Sequence, residues 1–394
     1  MNIGNVNNIE INRLITGKYE AELTDALNLR HEVVPDYGYN ILNRRGLLYT
    51  PIVDTHFSYK FNERPKWPGG NEFAVCLTHD VDHVSALSVR PGFRKAMTRA
   101  KARYHADETY RSHVDEPGII GAAKGVADAF LSAATSITSW NADPYHQFDR
   151  WLEIEAQYDA TSTFFFLPNE WGRSHISDHG YRHSDTVRFD GIAMTIAGMM
   201  CEINARGWEI GLHPTWYSYD DPHELEHQKK QLESVVGEDI RSVRQHYLHF
   251  DPRETPLAQD IAGFEFDSTI GFNSNIGFRY GSSYPWNLYD LRNGQRLDLV
   301  EIPLSIQDVA LFRPKGLNLT PDHAIEYIKQ LGEAVRKTGG VLTLSWHPHT
   351  IAWDDWWETY QRALEELDKL GAWFGSVAEV GEQWKQVQPE SWSY

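Results

Sequence analysis

Cysteine is almost missing from this chain: Cys76 and Cys201 are its two thiols in 394 residues. That supply excludes a disulfide framework. Both lie in apolar segments and read as small buried hydrophobes in a reducing compartment. Basic residues are in deficit, 37 Lys and Arg against 55 Asp and Glu, for a formal charge of -18. A deficit of this size argues against nucleic acid or an anionic membrane surface as the main partner. The acidity is dispersed rather than blocked, so solubility accounts for it. No run approaches ~20 uninterrupted apolar residues, so no spanning helix is expected. Met1 to Tyr19 lacks the basic-then-apolar order of a secretory signal, and a cytoplasmic location is the expectation. Neither GxGxxG nor a P-loop is present to support nucleotide binding.

What the chain does have is apolar and aromatic mass. Apolar residues make up 41%, enough for a large core in one large domain or two ordinary ones. Fourteen tryptophans are a heavy load. Much of it belongs in a core, but exposed Trp and Tyr around a cleft also suit stacking against the apolar faces of sugar rings. The Pro/Gly cluster Arg64-Pro-Lys-Trp-Pro-Gly-Gly70 is the best boundary, separating an N-terminal extension, 1–70, from a barrel over 71–394. Beyond it, strand-like runs are expected at Phe73–Thr78, Ser162–Leu167, Trp208–Leu212, Arg241–His246, Phe264–Asp267, Leu299–Leu304, Val341–Trp346 and Trp373–Val377. Amphipathic stretches fall between most of them: Gln147–Tyr158, Ile192–Arg206, His223–Val236, Pro256–Ala262, Ala324–Lys337 and Trp356–Leu370. This alternation predicts an α/β fold with a parallel sheet, closed into a distorted TIM-like (β/α) barrel. The interval Val84 to Thr161 is far too long for an ordinary βα connection. Its basic start (Arg90, Arg94, Lys95, Arg99, Lys101, Arg103) and small apolar middle, Ile119 to Ile137, read as a helical insertion over about 92–140. Such an insertion covers a barrel edge or forms a subunit contact in a homo-oligomer.

The densest chemistry is Phe73-Ala-Val-Cys-Leu-Thr-His-Asp-Val-Asp-His83. An apolar strand stops at Asp80 and Asp82, which alternation places on one face. Two carboxylates that close repel unless a cation lies between them or one keeps a proton. An isolated D-x-D is more often an acidic turn, but other strand ends carry similar groups. His213 ends one strand, Arg244 and His246 another, and His347 and His349 a third, while Leu299–Leu304 leads to Asp308. In a parallel barrel these ends converge on one mouth.

The ordered motifs Thr-His-Asp-Val-Asp, Ser-Thr-Phe-Phe-Phe, Glu-Ile-Gly-Leu-His, Val-Arg-Gln-His, Phe-Asp-Ser-Thr and Leu-Ser-Trp-His resemble those of the polysaccharide deacetylase (NodB-homology) superfamily, over roughly residues 72–385. The resemblance implies a hydrolase that removes an N-acyl, usually acetyl, group from a sugar or glycan precursor, with carbohydrate as partner and a divalent metal such as zinc as cofactor. It makes Asp80 the general base, Asp82 and His213 metal ligands, Arg244 the partner of the base and His347 the general acid. Asp308 is the candidate to hold His347, by position. The resemblance breaks at position 217, where the family's second metal histidine is replaced by Tyr217, a poor substitute for imidazole. Either His246 supplies the third ligand or the metal site is incomplete. Some allantoinase-like members of the superfamily work without metal. A metal-independent amidohydrolase of a small amide or ureide and a non-catalytic carbohydrate-binding barrel are therefore the alternatives.

Three other features carry weaker readings. His223-Glu-Leu-Glu-His227 spells the zincin H-E-x-x-H but opens a polar, solvated helix with no third ligand at the expected spacing. His175, His179 and His183 sit among Ser, Asp, Gly and Arg and read as an exposed loop that lines the cleft at most. Trp353, Trp356 and Trp357 read as helix packing, and Trp346 beside His347 as a sugar subsite.

Overall fold

A computed structural model describes residues 42, 46–61, 64–86, 143–169, 175, 178 and 180–387. The expected helical insertion, most of the N-terminal extension, and His179 lie outside these residues. Helix α1 (Ile52–Phe61) precedes the first strand, β1 (Phe73–Val81). Then follow α2 (Phe148–Ala156), β2 (Thr163–Phe166), the hairpin β3 (Thr186–Phe189) and β4 (Ile192–Thr195), α3 (Ile196–Ala205), β5 (Glu209–Leu212), α4 (Pro222–Val236), β6 (Ser242–Val243), α5 (Thr255–Ile261) and β7 (Phe266–Asp267). The chain continues through β8 (Trp286–Asp290), β9 (Gln295–Glu301), β10 (Leu304–Gln307), α6 (Asp308–Phe312), α7 (Pro321–Thr338), β11 (Val341–Ser345), α8 (Asp354–Lys369), β12 (Ala372–Gly375) and α9 (Val377–Val387).

The main sheet runs in the order β10-β11-β1-β2-β5-β6-β7-β9-β8, with β12 also paired to β1. Every pairing in it is parallel except β8 with β9. Only Ile302 and Pro303 separate β9 from β10, so the two flanks of the sheet are joined through one bent segment, and the sheet curls into a distorted TIM-like barrel. Proline at the bend cannot donate to a ladder, which is why one expected strand, Leu299–Leu304, is two. Strands β1, β2 and β11 are buried along their whole length, the signature of a parallel sheet covered on both faces.

Two departures from the sequence reading have local causes. The expected helix Ile192–Arg206 begins four residues late, because Asp190-Gly191, both at positive φ, turn the chain into the β3–β4 hairpin first. Thr195 then caps α3 by accepting from the Gly198 N–H. Strands at Arg241–His246 and Phe264–Asp267 shrink to two residues each, which leaves Arg244, Gln245 and His246 just past the end of β6.

Residues ahead of the barrel are tied to it by buried polar contacts. Asp54 on α1 is fully buried and accepts from the Ser282 hydroxyl and from the Ser283 N–H and hydroxyl. The Trp67 indole donates to the Gly339 carbonyl and stacks near Trp373 and Trp384. Of the two thiols, Cys76 is buried as expected, but Cys201 is exposed, since it falls on the outer face of α3.

Candidate active site

Alternation along β1 sorts its polar residues into two groups. Thr78, Asp80 and, just past the strand, Asp82 serve the mouth. His79 points the other way, into the helix layer beside Trp151 and Phe164, and shares a hydrogen bond with buried Glu155 at 2.7 Å. Glu155 also accepts from the Trp208 indole and the Tyr360 hydroxyl. His79 is therefore a core residue despite its place beside Asp80.

Arg244 is fully buried and spends its donors on fixed acceptors. Nη1 donates to Asp80 Oδ1 at 2.9 Å and to Thr78 Oγ1 at 2.6 Å, Nε to the Ser268 carbonyl at 2.6 Å, and Nη2 to Ser268 Oγ at 2.7 Å. The guanidinium lies 4.7 Å over the Phe165 ring. Gly211 on the neighbouring strand leaves room for that ring, since a Cβ there would fall 2.5 Å from Phe165 Cδ1. A glycine on β5 thus supports the arginine that pairs with Asp80. Burial works against the Asp80 charge, yet Arg244, His213 and His347 outweigh it and hold the carboxyl below its ordinary range.

Asp82 faces three imidazoles. Its Oδ1 is 3.5 Å from His213 Nε2 and 3.6 Å from His246 Nε2, and its Oδ2 is 3.6 Å from His347 Nε2. His213 donates from Nδ1 to the Arg244 carbonyl at 2.6 Å. His246 donates from Nδ1 to Asp178 Oδ1 at 3.2 Å. Each ring therefore turns an Nε2 lone pair toward Asp82, the orientation a metal ligand needs. Asp178 is itself buried and fixed by the N–H groups of His175 and Trp216.

Among the described residues, Asp82, His213 and His246 form a group able to hold a metal ion, with their ligand atoms within 4.8 Å of one another. Asp82 Oδ1 is enclosed without a hydrogen-bond partner. Its 3.5 and 3.6 Å separations from the two nitrogens are too long for hydrogen bonds. They match the roughly 3.3–3.4 Å between neighbouring ligands at tetrahedral angles and bonds of about 2.0–2.1 Å. The donor set fits a divalent cation of the zinc type.

Tyr217 is elsewhere. It sits in the turn Trp216–Ser218 after β5, its ring edge-on to His175 at 5.6 Å. His246 reaches the cluster from the end of β6, so a histidine from a different strand stands where position 217 has none.

Just past β11, the strand paired with β1, His347 Nδ1 donates to Asp308 Oδ1 at 2.7 Å, and the His347 N–H donates to Asp308 Oδ2 at 2.9 Å. Asp308 thus fixes both the ring and the backbone of its partner. Burial disfavours the imidazolium, but Asp308, Asp82 and Asp80 prevail and push His347 up to about 9. His349 behaves oppositely: burial, with His83 and His347 close by, drives it well below the ordinary histidine value.

The weaker readings resolve as follows. His223 and His227 are exposed on α4, which is capped by Asp221 and opened by Pro222. His175 and His183 are buried, not exposed: His175 stacks on Trp216 at 4.5 Å, and His183 Nε2 lies 2.9 Å from the Leu167 carbonyl. Trp346 is fully buried against Tyr360 and Phe312 and cannot serve a sugar, while Trp353, read as helix packing, is 41% exposed. Sequence reasoning missed Asp178 and Ser268. Asp178 lies in an unpatterned loop, and only its pairing with His246 marks it.

No family model and no curated protein sequence matches the chain. Solved structures match by fold, and the fold is that of polysaccharide deacetylases. An inferred polysaccharide deacetylase from Mycobacterium smegmatis superposes with a TM-score of 0.51 at 20% identity, covering 84% of this chain and 98% of that one. A second inferred polysaccharide deacetylase, from Pseudomonas aeruginosa PAO1, gives 0.52 at 16% identity over 83% and 95%. Puue allantoinase gives 0.50 at 17% identity, also over 83% and 95%.

Proposed function

We propose that this protein is a hydrolase that removes an N-acyl group, of the size of acetyl, from an amino sugar or glycan precursor, with a divalent cation, zinc by its donor set, as cofactor. The observation that carries the reading is the set of distinct partners held at one mouth. Asp80, held ionised by Arg244, and His347, held by Asp308, lie at the ends of the paired strands β1 and β11, and the Asp82–His213–His246 cluster lies beside them, with Asp82 3.6 Å from His347. The shared fold with polysaccharide deacetylases supports it.

Amide hydrolysis needs a proton taken from water and a proton given to nitrogen, because an unprotonated amine leaves poorly. Asp80 is the acceptor: Arg244, itself anchored on Thr78 and Ser268, keeps its carboxylate charged and aimed, so it is ready to deprotonate an attacking water. His347 is the donor, since its Nδ1–H is committed to Asp308 and only Nε2 can deliver a proton. Asp308 holds the imidazolium that precedes that delivery. Asp82, His213 and His246 would hold the cation, which when bound polarises an acyl oxygen and acidifies water. Arg244 couples the two halves, since its side chain pairs with the base while its carbonyl orients His213.

The Tyr217 position supports one other reading, a metal-independent amidohydrolase of a small amide or ureide. Two measurements separate them: metal content of the purified protein, and acetate release from N-acetylated sugars before and after chelation. About one zinc per chain and chelator-sensitive release support the deacylase. Full activity without metal supports the alternative.

A further inference from the structure

We infer that His79, with Glu155 behind it, is a positioning residue for the general acid. The pair fixes the Trp346–His347 peptide and thereby the direction in which His347 delivers its proton. The inference rests on the N-deacylase reading, in which His347 is the donor.

The Trp346–His347 peptide is held at both edges. Its N–H donates to Asp308 Oδ2 at 2.9 Å, and its carbonyl accepts from His79 Nδ1 at 2.8 Å. A peptide unit is planar, so bonds on opposite edges set the orientation of the whole unit. The His347 ring springs from that unit, and Asp308 holds its Nδ1 as well, which leaves one direction for Nε2. The β1–β11 register ends at Thr78 with Ser345, and the Trp346 N–H donates to the Thr78 carbonyl. His79 adds a side-chain link where that ladder stops, from the residue next to Asp80. The backbone that carries the base thus also steadies the acid.

His79 is itself fixed. A carbonyl only accepts, so Nδ1 carries a proton, and Nε2 shares another with Glu155 Oε1 at 2.7 Å. Glu155, on α2, is anchored in turn by the Trp208 indole at 2.6 Å and the Tyr360 hydroxyl at 2.7 Å. Trp151 at 4.7 Å, Phe164 at 4.6 Å and Tyr360 at 5.9 Å box in the His79 ring. Both members of the pair are fully buried. Stability does not call for such a pair, because its burial costs desolvation that apolar side chains of similar volume avoid. Phenylalanine would suit this aromatic box but would remove the donor to the Trp346 carbonyl.

The test compares an N-acetyl glycan with 4-nitrophenyl acetate, whose leaving group needs no proton. His79→Phe should lower amide kcat/KM about 10–100-fold, the cost of a misaimed catalytic group, and leave ester turnover near wild type. His79→Asn, whose amide nitrogen stands where Nδ1 does, should restore most of the amide rate. His79→Gln, whose amide nitrogen stands instead at the Nε2 position, should not, and it replaces His79→Phe if that chain does not fold. In a His347→Ala background His79→Phe or His79→Gln should add no further loss, since the residue acts only through the acid. Equal slowing of amide and ester, or a full further loss on His347→Ala, is the signature of a packing defect and overturns the inference while leaving the deacylase intact. If the wild type releases no acetate, the deacylase reading fails and NMR decides separately. The downfield Nδ1–H resonance of His347, identified by its loss in His347→Ala, should move or vanish in His79→Gln and persist in His79→Asn. An unchanged resonance in His79→Gln overturns the positioning role.

Discussion

Asp80 and Asp82 at the mouth, and Asp267 and Glu301 at the ends of β7 and β9, are two pairs of neighbouring acidic side chains in one barrel. Burial opposes charge on all four, yet the pairs diverge. Arg244 and the histidines hold Asp80 and Asp82 below the ordinary carboxyl range. Asp267 is pushed up to about 6 and Glu301 well above its usual value, each by burial first. The second pair has the Thr269 hydroxyl and the Ile270 N–H as partners, and Arg244 acts on it only at a distance. Asp267 Oδ2 and Glu301 Oε2 are enclosed with no other partner, so one proton between them satisfies both. Strand position does not distinguish the pairs. Nearby positive groups do: Arg244 bonds Asp80 directly, and three imidazoles face Asp82 at 3.5–3.6 Å, so the mouth is where carboxylates stay charged.

Removing the charged acid should have the largest effect. Asp80→Asn is expected to lower kcat/KM for an N-acetyl glycan by about 10²–10⁴-fold while zinc content, read by elemental analysis, stays near wild type. Loss of metal along with activity would mean that Asp80 is a ligand rather than the base.

Removing the cation should turn the mouth pair into a copy of the other one. Arg244→Met leaves Asp80 buried without its partner, and urea denaturation at pH 7 should show a loss of about 3–5 kcal/mol. The double variant with Asp80→Asn should recover part of it. A single variant as stable as wild type would contradict the pairing.

The metal cluster sharpens the comparison at smaller scale. Asp178→Asn should weaken zinc binding about 10-fold in chelator competition, and His246→Ala should weaken it further. Unchanged affinity in His246→Ala would leave Asp82 and His213 with a water-completed site.

The smallest change concerns the protonated pair. A carboxyl whose folded value lies above its unfolded one binds more protons in the folded chain. Stability therefore falls as pH rises through the window between them, from 3.8 to about 6 for Asp267. The Asp267→Asn variant should show a flatter decline between pH 4 and pH 7 than wild type in thermal unfolding. An identical slope would show that the pair does not hold a proton.

Much of the mouth was legible because its residues terminate apolar strands: Asp80, Asp82, His213, Arg244 and His347 each follow a β-type run. Asp308 was found by position, at the start of the short helix after β10. Asp178 was not, because no periodicity surrounds it and its role depends on His246 crossing from β6. Trp346, read as a sugar subsite, is fully buried, whereas Trp353 packs on Trp356 as expected but is 41% exposed. Both are tryptophans near His347 in sequence, and only the turn at Pro348–Ala352 sends one into the core and the other to solvent. The β3–β4 hairpin was hidden by apolar residues that also fit a helix, so that Asp190-Gly191 was the one cue available.

The central claim is that His347 gives its proton to the leaving nitrogen while Asp80 takes one from water. Comparing His347→Ala with wild type on an N-acetyl glycan and on 4-nitrophenyl acetate, whose leaving group needs no proton, tests it most directly. Amide turnover should fall about 10²–10⁴-fold, with ester turnover far less affected. Equal slowing of both substrates would contradict the account.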